Sequence, residues 1–206
     1  MAEGTQRRLA AIVSADVVGY SRLMGVDEVG TLDALRAHRA ELIDAKIDEH
    51  GGRIVKTMGD GLLLEFADVV AAVQCSLEVQ EGMSARNAGI LDDNQINFRI
   101  GINLSDIIVE DGDIFGDGVN VAARLESMAE PGGMLVSHSV YEGIANNLDT
   151  VFADNGERAF KNIVNSVRVW SWPRKLPTNR QDRKPFVVVA EFEGRREEEK
   201  ALADDL

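Results

Sequence analysis

The sequence predicts an α+β fold: a ferredoxin-like β-α-β-β-α-β core, with helices on one face of an antiparallel sheet and C-terminal strand and helix additions. Two observations carry the prediction. Short apolar runs of strand length alternate with longer segments whose apolar residues recur at three- and four-residue steps, with glycines punctuating the joints. The order of the opening segments, strand, helix, strand, strand, helix, strand, is the second observation.

The elements follow in order. Leu9 to Val18, L-A-A-I-V-S-A-D-V-V, is short and almost wholly apolar, as a buried strand is, and Gly19 ends it ahead of a helix. From Asp27 to His50, Val29, Leu32, Leu35, Leu42, Ile43 and Ile47 keep helical spacing until Gly51 and Gly52 stop the pattern. R-I-V-K-T-M and L-L-L-E-F then read as two strands joined at Gly59-Asp60-Gly61, a tight hairpin turn. A second helix is expected from Asp68 to about Arg86, strands from Ile96 to Ile102 and Asp106 to Val109, and a helix from Val119 to Met128. Beyond Gly132-Gly133, M-L-V-S, S-V-Y-E-G-I, D-T-V-F-A and V-R-V-W-S-W predict strand, helix and two strands. Residues 1–173 therefore form one domain. Pro173 to Pro185 holds three of the four prolines and is expected to be a linker. After it, F-V-V-V-A-E-F predicts a strand and the charged C-terminus a helix. Residues 174–206 are thus a tail, too small for a core of its own and expected to begin a further covalent domain or to dock elsewhere.

Composition narrows the function. At 206 residues and 45% hydrophobic, the chain has material for one sizeable core. A net charge of −13 disfavours nucleic acid and anionic membranes as partners, since both draw on clustered Lys and Arg. An acidic protein that handles a polyphosphate is expected to do so through metal ions. The single cysteine, Cys75, sits in an apolar pattern and excludes an internal disulfide; with no run of about 20 apolar residues and no signal peptide, the expected location is the cytoplasm.

Several residues stand out against this background. Asp16 lies inside a run that must be buried, where a carboxylate needs a cation or a metal. Asp60 sits at the hairpin tip, and the first strand of this core lies beside the third, so the two aspartates converge. That suits a pair of Mg²⁺ ions, which take one or two protein carboxylates and fill the remaining positions with water and substrate phosphates. Taken singly, Asp60 also suits a turn, Asp16 a helix cap, and Lys56, in the strand I-V-K-T-M, an edge position. Gly19 opens a helix whose first N–H groups can hold phosphate oxygens. In D-G-D-I-F-G-D-G-V-N-V-A-A-R-L-E-S, residues 111 to 127, Asn120 and Arg124 project from one face of a helix. The glycines there do not follow the Walker pattern, nor the acidic residues a calcium loop. The three histidines carry no ligand spacing.

Together, A-D-V-V-G-Y-S, R-I-V-K-T-M-G-D-G and D-I-F-G-D-G-V-N-V-A-A-R-L-E-S resemble the catalytic signature of class III adenylyl and guanylyl cyclases, in order and in spacing, over residues 8 to 172. The resemblance implies a role for each matching position. Asp16 and Asp60 bind two metal ions per site, Mg²⁺ or Mn²⁺; Lys56 and Asp113 read the purine; Asn120 orients the ribose; and Arg124 stabilises the transition state. F-A-D-N-G-E-R-A-F-K-N-I is similar to the region whose lysine grips the terminal phosphates, which points to Lys161. The family builds each site from two subunits, so the full set in one chain implies a head-to-tail homodimer with active sites at the interface. Hydrogen-bond inventory at Lys56 and Asp113 favours ATP, and the activity implied is adenylate cyclase. The alternatives are a guanylate cyclase, a non-catalytic nucleotide-binding module, and another two-metal phosphoryl-transfer enzyme on a similar sheet.

Overall fold

The computed structural model describes residues 6–161, 163 and 165–173. Its strands are β1 (Gln6–Val17), β2 (Arg53–Met58), β3 (Gly61–Phe66), β4 (Phe98–Glu110), β5 (Asp113–Phe115), β6 (Met134–Ser137), β7 (Ala153–Arg158) and β8 (Val167–Trp172). Its helices are α1 (Tyr20–Val26), α2 (Glu28–His38), α3 (Asp44–Glu49), α4 (Val69–Asn87), α5 (Asp117–Met128) and α6 (His138–Ile144). The expected linker beyond Pro173, the strand Phe186 to Phe192 and the charged C-terminal helix lie outside the described residues.

The strands form one sheet in the order β2-β3-β1-β4-β6-β8-β7, with β5 paired to β4. Every ladder is antiparallel except β4 with β6. The first four strands stand in the order of the expected core: the α1–α3 crossover carries β2 past β1, and the hairpin returns β3 between them. β1 reads as a continuous apolar run because both its faces are covered. Ala11, Val13, Ala15 and Val17 pack with Leu35, Ile43, Ile47 and Val73 of α2 to α4, whereas Ala10 and Ile12 pack with Ala122 of α5. The core helices therefore lie on one face as expected, and α5 is added on the other.

Side-chain caps set two helix starts. Asp27 accepts from Gly30 N–H ahead of α2, and Asp68 accepts from Val70 and Ala71 N–H ahead of α4. The helix expected from Asp27 to His50 is present as α2 and α3, joined by a π turn at Arg39–Ile43.

Two expectations are corrected, and one strand had no counterpart among the expected elements. The two strands expected between Ile96 and Val109 are one strand, β4, because β1 pairs with it from Gln6↔Val109 to Val17↔Phe98. Asn103 and Ser105, which broke the apolar pattern, face α5, and Asn103 donates to the Gly118 carbonyl. The strand expected at D-T-V-F-A lies later, at Ala153–Arg158, where an edge strand needs no apolar face and pairing with β8 fixes it around an irregularity between Asp154 and Glu157. β5 was not expected; three residues carry too little pattern to be read.

Candidate active site

Asp16 is the penultimate residue of β1, on the face that α5 partly covers. β2 and β3 are joined by the two-residue loop Gly59-Asp60, with Gly59 at φ 67°, the conformation glycine adopts readily. Pairing of Ala15 with Leu62 brings this turn beside the end of β1. The two aspartates converge as expected. Burial raises the Asp60 pKa above its usual value, with a further push from the Asp16 charge, while backbone N–H groups of Asp60 and Val17 pull it down. A Cβ at Gly61 would stand 3.3 Å from Asp16 Oδ1, so glycine keeps the space beside that carboxylate open. Asp16 is not a helix cap, since α1 follows Gly19 with no side-chain cap.

The cation facing Asp16 is Arg99, its register partner on β4. Arg99 Nη2 donates to Asp16 Oδ2 at 3.4 Å, and Arg99 Nε lies 3.5 Å from Glu126 Oε1 on α5. Burial, then the Asp16 charge, pushes the Glu126 pKa up to about 7 against the pull of Arg99. Sequence reasoning missed both residues. The signal available was a lone arginine in F-R-I-G-I, but only strand register reveals what it faces.

Lys56 is aimed by a β-bulge. β2 pairs Ile54 with Leu64 and then Lys56 with Leu63, leaving Val55 as the extra residue. The bulge turns Lys56 to the face of Leu63 and Ile12, the same face as Asp16. There Lys56 Nζ donates to both oxygens of Asp113, at 3.0 and 2.8 Å. Arg53 Nη1 donates to the Gly112 carbonyl at 2.7 Å. These bonds join β2 to the β4–β5 turn although β3, β1 and β4 intervene in the sheet, so the sheet rolls over the α5 face. The Lys56 hydrogen bonds hold the Asp113 carboxyl below the usual carboxylate range.

On α5, Val121, Ala122 and Leu125 are buried and Asn120 and Arg124 are exposed. Gly101 and Gly118 let the helix lie directly on the sheet, for a Cβ on either would collide with α5 backbone or with Ser105. Neither the Asn120 nor the Arg124 side chain has a polar partner among the described residues. Lys161 is exposed after β7, and Gly19, at φ 66°, turns β1 into α1. The structure thus brings together Asp16 with Asp60, and Lys56 with Asp113, and sets Asn120 and Arg124 on one outward helix surface. A cleft of about 320 Å³ at the end of α5, lined among others by Met128, Arg158, Val169 and Trp172, includes none of these residues.

The two adjoining carboxylates are oxygen donors of the kind Mg²⁺ or Mn²⁺ takes. Among the described residues no group of three or more His, Cys, Asp or Glu side chains converges. Two adjoining carboxylates, with room kept beside one by glycine, match an ion that completes its shell with water and phosphate oxygens.

The family model described as the adenylate and guanylate cyclase catalytic domain matches residues 5–169. The chain belongs to this family. The cyclase domain is 46% identical over 173 residues to putative adenylate cyclase 3 of Rhizobium meliloti (strain 1021), a match covering 84% of this chain and 30% of that protein. It is 34% identical over 151 residues to an adenylate cyclase of Streptomyces coelicolor, covering 71% and 37%. The chain therefore spans about a third of the length of these curated relatives. Among solved structures, it superposes on an adenylate/guanylate cyclase/hydrolase from Silicibacter pomeroyi with a TM-score of 0.76 at 48% identity, covering 81% of this chain and 97% of that one. The adenylyl cyclase CyaB from P. aeruginosa gives 0.72 at 27%, covering 82% and 95%. Among the described residues no helix is long and apolar enough to cross a membrane.

Proposed function

We propose that this cyclase domain converts ATP to 3′,5′-cyclic AMP and pyrophosphate at sites shared between two copies of the chain, each site using two Mg²⁺ or Mn²⁺ ions. The observation that carries the choice of ATP is the bidentate pair of Lys56 with Asp113. A lysine donates to adenine N1 and an aspartate accepts from the N6 amino group; guanine presents an acceptor and a donor in the reverse order along the same edge. Because the pair is already formed, donor and acceptor are fixed side by side before the base arrives. The adenylate cyclase names of the relatives from Rhizobium and Streptomyces support the same reading.

In this account Asp16 and Asp60 hold the ions. The ions, when bound, would supply the positive charge that lowers the pKa of the ribose 3′-hydroxyl and offsets the triphosphate. Asn120 orients the ribose, which keeps the hydroxyl in line. Arg124 supplies a fixed positive charge where negative charge builds on the α-phosphoryl oxygens, and among the described residues it has no ion pair to break first. Lys161 meets the terminal phosphates, with backbone N–H groups near Gly19 beside them. The outward setting of Asn120 and Arg124 supports a site completed by a second copy, and a two-fold dimer then builds two equal sites.

The test is purified chain with ATP or GTP and Mg²⁺ or Mn²⁺, the product being separated by chromatography. Cyclic AMP is the expected product. Cyclic GMP alone would overturn the base assignment, and no product from a folded dimer would favour a nucleotide-binding module without catalysis.

A further inference from the structure

Arg99 is held on three sides and tightly on none. Nη2 reaches Asp16 Oδ2 at 3.4 Å, Nη1 reaches the Ser127 carbonyl at 3.4 Å, and Nε stands 3.5 Å from Glu126 Oε1. Charge-assisted N–H···O bonds close to about 2.7–2.9 Å when geometry allows. The atoms Arg99 Nε and Glu126 Oε1 are both buried, and neither makes a hydrogen bond among the described residues. The Glu126 side chain is only 12% exposed and that of Arg99 27%, so water reaches the Glu126 carboxyl group little. A largely buried carboxyl group thus faces a part-buried guanidinium a few tenths of an ångström short of bonding, while Asp16 holds the other end of the same fork.

We propose that Arg99 is a positioning residue that exchanges partners. Without metal its guanidinium supplies the positive charge for Asp16; when a divalent cation takes the Asp16 carboxylate, Arg99 closes onto Glu126, which thereby opens Asp16 to the ion. This rests on the reading of Asp16 as a metal ligand. Electrostatics gives the direction: a dication beside Asp16 repels the guanidinium and removes the carboxylate charge that held it, and Glu126 is the acceptor it already faces. Without Glu126 the guanidinium has no second carboxylate among the described residues and competes with the ion for Asp16.

The experiment titrates Mn²⁺ into the nucleotide-free full chain, counting free ion by electron paramagnetic resonance, with folding checked by circular dichroism. Asp16→Ala should abolish the tight class of Mn²⁺ binding; if it does not, the metal reading fails and the inference with it. Given that control, Glu126→Gln should weaken Mn²⁺ binding about five- to tenfold, whereas in an Arg99→Met background the same change should have almost no effect. Equal weakening in both backgrounds would mean that Glu126 acts only as a distant negative charge, and overturns the exchange. If Arg99→Met does not fold, Glu126→Asp decides instead. It keeps the charge but withdraws the oxygen, so it should weaken Mn²⁺ binding nearly as much as Glu126→Gln; wild-type affinity in Glu126→Asp contradicts the proposal.

Discussion

Gly101→Ala strikes a close approach of helix α5 to the sheet. Gly101 sits on β4 beneath α5, where an added Cβ would lie 2.9 Å from the Glu126 Cα and closer still to the Ala122 carbonyl oxygen and the Glu126 nitrogen. Carbon atoms in contact stand about 3.5–4.0 Å apart, so the helix must retreat by roughly 1 Å. The atoms in the way are helix backbone, which no rotamer change can move aside. Overpacking of this kind costs about 3 kcal/mol, at the upper end for an added methyl group. In a domain of this size that lowers Tm by roughly 6–12 °C. Activity should fall further than stability requires, because α5 carries Asn120 and Arg124 and a 1 Å misplacement of positioning groups costs on the order of 100-fold in rate. Thermal unfolding and cyclic AMP production, measured below the lowered Tm, separate the two effects. Gly25→Ala is the control: nothing lies within 4 Å of its Cβ, and replacing a helical glycine is expected to leave stability unchanged or raise it by about 0.5–1 kcal/mol. A Gly101→Ala protein as stable and as active as wild type would refute the close packing of α5 and its role in setting the site.

Replacing Lys56 with Glu together with Asp113 by Ala should lower kcat/KM for ATP by roughly 5- to 150-fold, the effect of about 1–3 kcal/mol of mispaired polar groups; unchanged kcat/KM would remove both residues from base recognition. Glu126, whose pKa is raised from 4.5 to about 7, binds a proton in the folded state across a window where the unfolded chain has lost it. Its contribution to stability is therefore full below pH 4.5 and is lost as pH rises through about 7 in the metal-free domain, and Glu126→Gln should flatten that slope in urea titrations. A chain ending near Leu176 should remain folded, dimeric and active, since every assigned residue lies upstream; aggregation or loss of dimers would place residues 174–206 within the folded unit.

Much of this could be read from local pattern. A carboxylate in a wholly apolar run marks Asp16, and a two-residue loop between strand patterns marks Asp60 as a hairpin tip. Aspartates just ahead of helical periodicity mark the starts of α2 and α4. What escaped depends on contacts that spacing does not encode. The contact between Lys56 and Asp113 needs the bulge at Val55 that turns Lys56 to that face and the turn at Asp111-Gly112 that starts β5, and neither is legible as a contact in the sequence. The placement of α5 on the second face rests on glycines that look like ordinary punctuation until the helix lies on them. Arg99 and Glu126 are distant in sequence and acquire meaning only from the register that sets Arg99 opposite Asp16. The β7 edge strand, A-D-N-G-E-R, has no apolar alternation because no core demands one.

The central claim, cyclic AMP synthesis at a site shared by two chains, is tested most directly by mixing two inactive variants. Asp16→Ala removes a metal carboxylate from one half-site, and Arg124→Ala removes the transition-state charge from the half-site offered to the partner. Each variant alone should be nearly inactive. In a mixed dimer one site collects both lesions and the other none. With random pairing, subunit exchange should therefore restore roughly a quarter of wild-type activity if the sites are independent. No recovery from folded variants with demonstrated subunit exchange would contradict the shared site and place the chemistry within a single chain.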